Sequence, residues 1–293
     1  MPIKLSCVVA TRNSERFLAS ALGSIAPAVG PTSATRVEVL IADGGSTDAT
    51  LSIAERDPRV RIVSRRDSGI YDGMNQALAE ATGEFVLILN SDDLLVPGAV
   101  ADALAALDRE PKAGWISSPA LFGERLEQAT LRRHPRNLTI EGAMFGIPAI
   151  NARIFRRELL TEIGPIRPEL GLAADREFMV RVATSHRAGL SFDQPLYFYR
   201  VHQGSHTISG DLEGRRRVYK AEAKLARMLL LDPAGTDDIR RFAQASYALA
   251  VLKLRLSGER PEQGQEGIGW RSLRALAPGL RLAWMWRGRL SGY

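Results

Sequence analysis

Two adjacent carboxylates, Asp92 and Asp93, end an apolar run that begins at Phe85 and continues Val86-Leu87-Ile88-Leu89-Asn90-Ser91. A run this short, bounded by Gly83 and by Pro97-Gly98, reads as a buried parallel strand. Neighbouring carboxylates at a strand end repel unless a cation or a row of donors lies beside them. Their other reading is a solvated turn, or the cap of the next helix. Two more polar groups stand in the same position relative to an apolar run. Thr11-Arg12-Asn13 follows residues 5–10, and Asp43-Gly44-Gly45 follows residues 37–42. Asp43 leads through Ser46-Thr47-Asp48 into a helical pattern. Such a carboxylate either accepts a base N–H or ribose hydroxyl, or holds the turn together.

The elements that must position these groups follow from periodicity. Residues 5–10, 37–42, 60–63 and 85–89 have strand patterns, and residues 17–25, 49–55, 70–81 and 97–107 have helical spacing. Asn13 or Ser14 caps the first helix and Pro27 is expected to close it. Four strand–helix units in succession predict parallel strands with right-handed crossovers. The fold class is therefore α/β, a Rossmann-like, mostly parallel sheet flanked by helices. All three polar groups then lie on the carboxyl edge of that sheet, around one crevice. Neither a P-loop nor a G-x-G-x-x-G after the first strand is present, which removes the main support for an ATPase or a dinucleotide dehydrogenase.

At 293 residues, 45% apolar and 25% charged, the chain has the make-up of an ordinary globular protein. Its net charge of +6 is uneven. From Asp211 onward 16 Lys and Arg face 9 Asp and Glu, so the tail carries +7 and residues 1–210 carry −1. That balance predicts an anionic partner for the tail. Cys7, the single cysteine, lies in a strand pattern and reads as a packing residue. The apolar run near the start is too short for a signal peptide, and no run approaches the ~18 residues of a membrane span. The expected location is cytoplasmic, with any contact to the plasma membrane peripheral on its inner face.

Val8-Val9-Ala10-Thr11-Arg12-Asn13, Ile41-Ala42-Asp43-Gly44-Gly45-Ser46-Thr47-Asp48, Asp67-Ser68-Gly69-Ile70-Tyr71-Asp72-Gly73-Met74-Asn75 and Leu89-Asn90-Ser91-Asp92-Asp93 together resemble family 2 glycosyltransferases of GT-A fold. The block from Gly69 to Asn75 further resembles the bacterial exopolysaccharide branch, including colanic-acid-type enzymes. The resemblance implies a nucleoside-diphosphate sugar donor, a saccharide or lipid-linked saccharide acceptor, and a divalent cation, Mn²⁺ or Mg²⁺. Nucleic acid is not an expected partner. Charge gathers on the diphosphate as the glycosidic bond breaks, which is what the cation would offset. By the resemblance Asp93 binds the cation, and Asp92 the ribose or the cation's water shell. Asp43 meets the base, and Thr11, Arg12 and Asn13 line its pocket. Asp67 and Asn75 lie near the nucleotide or donor sugar. Asp67 could instead be a solvated member of the Arg65-Arg66-Asp67 cluster, and Tyr71 a packing residue.

The same resemblance divides residues 1–210, the expected catalytic domain, into a nucleotide-sugar half (1–110) and an acceptor half (111–210). In the second half residues 115–118 and 152–155 read as strands, and residues 142–148 resemble a glycine-bearing loop before the latter. Relatives often carry a His near Ile150; here Asn151 is the acceptor-side candidate. Leu172-Ala173-Ala174-Asp175 looks like the family's catalytic-base motif at a helix start, with Ala174 where an acidic residue is usual. Asp175 would deprotonate the acceptor hydroxyl in an inverting displacement; its other reading is a helix cap. Tyr199-Arg200-Val201-His202 resembles the family's C-terminal His segment. Arg200 would neutralise the diphosphate and His202 would complete the cation's shell or touch the diphosphate, with His206 as its competitor. Residues 211–293 are expected to form a basic helical extension, helical over 218–231 and 239–256. Its last stretch, 270–289, interleaves Trp, Leu and Arg, and fits either an anionic membrane surface or a packed helical pair. Two rival functions remain open on sequence: a sugar-nucleotide pyrophosphorylase, and a non-catalytic nucleotide-sugar-binding subunit of a polysaccharide assembly complex.

Overall fold

In the computed structural model the described residues are 3–30, 36–64, 67–132, 138–145, 150–202 and 212–259. The loop residues 146–148, His206 and the 270–289 stretch lie outside them. The predicted βα alternation is present. Strands β1 (Leu5–Thr11), β2 (Val37–Asp43), β3 (Val60–Ser64) and β4 (Phe85–Ile88) pair in parallel, with helices α1 (Leu18–Val29), α2 (Thr50–Ala54) and α3 (Ile70–Ala79) between them. A two-residue strand β5 (Leu94–Leu95) and helix α4 (Ala99–Arg109) follow. Then come β6 (Ala113–Ser117), β7 (Ala120–Gly123), β8 (Thr130–Arg132), α5 (Ile140–Phe145), β9 (Arg153–Arg156), α6 (Arg157–Ile163), a 3₁₀ segment (Pro168–Ala173), α7 (Ala174–Thr184), β10 (Ala188–Ser191) and β11 (Tyr197–Arg200). Two 20-residue helices, α8 (Leu212–Leu231) and α9 (Asp237–Leu256), complete the described chain.

The main sheet has seven strands in the order β10-β6-β9-β4-β1-β2-β3. Strand β9 is antiparallel to both neighbours, β4 and β6. The second half of the chain thus enters the middle of the sheet, so the two halves share one sheet. Alternation along β1 sorts the core. Leu5, Cys7 and Val9 pack with α1 and α4 on one face, while Val8 and Ala10 pack with α3 and α7 on the other. A second sheet, β5-β11-β7-β8, lies beyond the carboxyl edge of β4.

Two local expectations change. Pro27 lies inside α1, which runs to Val29 and ends at Gly30 with φ +74°. Burial of Ala28 and Val29 carries the helix past the proline. Gly142 lies within α5 rather than in a loop, because Ala143 and Met144 are drawn into the core beside α7.

Helices α8 and α9 are joined to the preceding body by charge as well as by packing. Arg176 on α7 donates to the carbonyls of Ala143 and Met144 at the end of α5 and to Glu222 on α8 at 3.5 Å. Glu222 also meets Lys253 on α9 at 3.3 Å. Among the described residues no helix is long and apolar enough to cross a membrane. Glu222→Ala leaves both cations short of their shared carboxylate, with the Arg176 side chain only 13% exposed. Denaturant unfolding is expected to show a loss of about 1–3 kcal/mol.

Candidate active site

The register of the sheet fixes which loops meet. Thr11 pairs with Asp43 across β1 and β2, and Val8 pairs with Ile88 across β1 and β4. The three polar groups therefore leave the sheet side by side, as the sequence predicts. Ser14 and Ser91 join the first and third of them at 2.8 Å.

Asp43 is fully buried and organises its own turn. One oxygen accepts from the Thr11 hydroxyl (3.0 Å) and the Ser46 hydroxyl (2.5 Å), and the other from the amides of Gly45 (3.1 Å) and Ser46 (2.8 Å). Four donors fill a carboxylate's acceptor capacity, so in this arrangement Asp43 holds the turn. Asn13 adopts φ +50°, the one non-glycine residue of positive φ among those described. Its amide N–H donates to Ser46 and its side-chain oxygen accepts from Thr47 N–H, stitching the first loop to the second. Arg12, exposed, and Asp67 both approach Gly44. A Cβ at Gly73 would sit 2.6 Å from Asp67 Oδ2, so the glycine is what lets this carboxylate lie against α3. Asn75 points away from this rim. Its side chain donates to the Ile166 carbonyl (2.7 Å) and accepts from Ile166 N–H (2.9 Å), tying α3 to the approach of the 3₁₀ segment rather than facing a donor sugar.

The carboxylate pair divides into one inner and one outer group. Asp93 is 1% exposed. It accepts from the Tyr197 hydroxyl (2.6 Å), the Arg200 backbone N–H (2.8 Å) and the Asn90 side chain (3.0 Å). Burial, and then the charge of Asp92, push its carboxyl up to about 7 against those hydrogen bonds. Tyr197 is a hub: its oxygen also accepts from Asn90 N–H (3.1 Å) and from Asn151 (3.0 Å). Asn151 is thereby held beside the pair. Asp92 is the outer group, with a third of its side chain exposed and the His202 ring Nε2 at 2.9 Å. The expectation that Asp93 ligates the cation thus meets a carboxylate sealed behind three donors; the more accessible carboxylate of the pair is its neighbour Asp92. Among the described residues no cluster of three or more Asp, Glu, His or Cys is grouped as for a metal. Asp92, a hard oxygen donor, and the borderline imidazole of His202 would suit a cation that takes its remaining ligands from phosphate and water.

Phe17 underlies this corner and carries no signal in the sequence beyond helical periodicity. The His202 ring (4.7 Å), the Arg200 guanidinium (4.6 Å) and the Arg16 guanidinium (4.7 Å) gather on it. Arg200 also donates to Ser20 at 3.1 Å, yet its Nε is buried without a partner. A second unpartnered atom is Asp175 Oδ1, at the start of α7. Burial pushes the Asp175 carboxyl up to about 6, while the nearby Tyr71 hydroxyl and the neighbouring Arg176 charge pull it down. These two orphaned atoms, one cationic and one acidic, are where the site lacks something to bind.

A Rossmann-like sheet with a carboxylate–imidazole pair and a stacked arginine beyond its carboxyl edge, and a second buried carboxyl at the start of α7, has the GT-A architecture. The chain belongs to glycosyl transferase family 2, whose family model matches residues 6–164. Asp175, Arg200 and His202 lie beyond that match. The chain is 28% identical over 215 residues to the poly(ribitol-phosphate) beta-N-acetylglucosaminyltransferase TarS of Staphylococcus aureus, covering 71% of this chain and 37% of that protein. It is 30% identical over 184 residues to a PGL/p-HBAD biosynthesis glycosyltransferase of Mycobacterium bovis, covering 60% of this chain and 68% of the relative. The fold is shared with residues 1–349 of S. aureus TarS in complex with UDP-GlcNAc (TM-score 0.65, 22% identity, 96% of this chain and 80% of that one). It is shared also with the Pyrobaculum calidifontis mannosyltransferase PcManGT in complex with GDP-Man and Mn²⁺ (TM-score 0.60, 21% identity, 97% and 82%).

A raised carboxyl pKa favours the protonated folded state. The contribution of Asp93 is complete below its ordinary value of 3.8 and is lost as pH rises through about 7. Stability of the metal-free protein, followed by urea unfolding from pH 5 to pH 8, should decline with pH. Asp93→Asn should flatten that decline.

Proposed function

We propose that the protein transfers a sugar from a nucleoside-diphosphate sugar to an acceptor hydroxyl, with inversion at the anomeric carbon. The observation that carries this reading is the unpartnered oxygen of Asp175, on a carboxyl whose pKa of about 6 suits a base at neutral pH. In the reaction Asp175 takes the proton of the acceptor hydroxyl while that oxygen bonds to the anomeric carbon. The bond from that carbon to the diphosphate breaks on the opposite side, and the diphosphate departs with the electron pair. A single displacement inverts the centre. Arg200, held over Phe17 with an unmatched N–H, is placed to meet the growing negative charge. Asp92 and His202 would hold a divalent cation, Mn²⁺ or Mg²⁺, which when bound supplies further positive charge to the diphosphate. Asp93 then acts as the carboxylate that fixes the Arg200 backbone rather than as a ligand. Arg12, Asn13 and Asp67 form the rim on which the nucleoside rests, over a turn that Thr11 and Asp43 hold from beneath, and Asn151 belongs to the acceptor side.

The relatives support a bacterial surface glycan as the product, with the acceptor a saccharide or a lipid-linked saccharide. The +7 balance of residues 211–293 supports a peripheral encounter with an anionic membrane at its cytoplasmic face.

Thermal-shift measurement with UDP, GDP, dTDP and CDP, each with and without Mn²⁺, tests the donor half of this reading. One nucleotide should stabilise the protein in a cation-dependent way, by about 2.7 kcal/mol at 100 times its dissociation constant. Asp92→Ala should abolish the cation dependence. Asp175→Asn should keep the nucleotide shift and lose transfer by at least about a hundredfold; transfer at the parental rate would remove Asp175 as the base.

A further inference from the structure

We propose that Phe17 is the positioning residue of the corner that meets the diphosphate: its ring sets the His202 imidazole and the Arg200 guanidinium in place beside Asp92. The inference rests on the reading of Asp92, His202 and Arg200 as the groups for cation and leaving group. Phe17 stands immediately before α1, at φ −123° and ψ −22°, outside the helix proper. Leu18, the next residue, is wholly buried in the core, whereas Phe17 is half-buried and packs with neither face of that core. A ring of that size spent away from the apolar interior has another task.

Bonds on both sides hold the backbone that carries the ring. The Phe17 N–H donates to the Ser14 carbonyl (3.1 Å), and Ser14 is the residue whose hydroxyl meets Ser91 beside the carboxylate pair. The Phe17 carbonyl accepts from the Ser20 N–H (2.9 Å), the Ala21 N–H (3.0 Å) and the Ser20 hydroxyl (2.7 Å). That same hydroxyl accepts from Arg200 at 3.1 Å. Arg200 is therefore tied to Phe17 twice, through Ser20 and through the ring face at 4.6 Å. The His202 ring lies 4.7 Å from the Phe17 ring at an angle of 47°, with its Nε2 2.9 Å from Asp92 Oδ2. The imidazole is thus fixed by a carboxylate at one atom and by an aromatic ring alongside.

The electron-rich face of a phenyl ring attracts cations, and a planar guanidinium stacks on it. Arg16, exposed, also lies over this ring at 4.7 Å, and neither guanidinium has a carboxylate partner among the described residues. Two like charges drawn to one ring repel each other, and an anion arriving beside them relieves that repulsion. A diphosphate is the ligand such a corner suits; a single phosphate engages less of it. An aliphatic side chain of similar volume fills the same space but offers neither a flat face nor a quadrupole. Phe17 therefore acts through Arg200 and His202.

Calorimetric titration of UDP, GDP, dTDP and CDP into the full chain with Mn²⁺ identifies the preferred diphosphate. That nucleotide and its monophosphate are then titrated into Phe17 variants. Phe17→Leu should lose about tenfold in affinity for the diphosphate and less than about twofold for the monophosphate, and Phe17→Tyr should restore the parental value. An unchanged diphosphate affinity in Phe17→Leu would overturn the proposal. So would an equal loss for both nucleotides, which assigns the ring to packing, or a failure of Phe17→Tyr to recover binding. Thermal unfolding without ligand shows whether each variant is folded. If Phe17→Leu is not, Phe17→Met, unbranched and without a π face, replaces it in the same comparison. Asp92→Ala, titrated in parallel with and without Mn²⁺, separates the two readings. If it keeps the parental cation dependence, the assignment of the corner itself fails. If it loses that dependence while Phe17→Leu binds as the parent does, only the role of Phe17 fails.

Discussion

A buried carboxylate is tolerated only where donors converge on it, and the Asp93 carboxylate is where this structure converges. One donor comes from its own turn, one from the side chain of Tyr197 and one from the backbone of Arg200. The first belongs to the end of the main sheet, and the other two to β11 of the second sheet. The bond to Tyr197 spans 104 residues. Through it the second sheet is fixed against the carboxyl edge of β4, and the side chains of Arg200 and His202 are delivered to Phe17 and Asp92. Removing one donor would expose a charge to an apolar interior, so the network holds or fails as a unit.

Most of the sheet was legible in the sequence because β1, β4, β6 and β9 are buried on both faces and read as largely apolar runs. The edge on which chemistry gathers followed from order alone. Less legible was the division of labour between neighbours of the same type. Which of Asp92 and Asp93 turns inward is decided by Tyr197, far along the chain, and no local pattern encodes that choice. Asn75 shows the same limit: its partner Ile166 lies 91 residues away. Phe17 was hidden for the opposite reason, since an aromatic residue at the start of an amphipathic helix looks like any other core residue. Pro27 and Gly142 were misjudged because burial of the residues beside them outweighs local propensity.

The site has two poles of different construction. Around Asp92 and His202 the groups are partly exposed and stacked on an aromatic ring, an arrangement open to a large anionic ligand. Around Asp175 they are enclosed by α3 and α7, with α8 and α9 anchored one residue away through Arg176. For the proposed base, a drier environment sustains a raised pKa. The proposed diphosphate site needs access and positive charge instead. One pole lies beyond the strand ends and the other at the start of α7, beside the residue that anchors α8.

The antiparallel insertion of β9 between β4 and β6 has a consequence for how the polypeptide acquires its shape. During synthesis β4 emerges with a neighbour on one side only. Its other flank remains an open ladder until residues 153–156, some seventy positions later, have left the ribosome. An amino-terminal half formed vectorially would therefore carry β4 as an open, apolar edge. Closing it takes a long-range pairing in the centre of the finished sheet, the kind of contact that is slow to form and exposed to aggregation until it does.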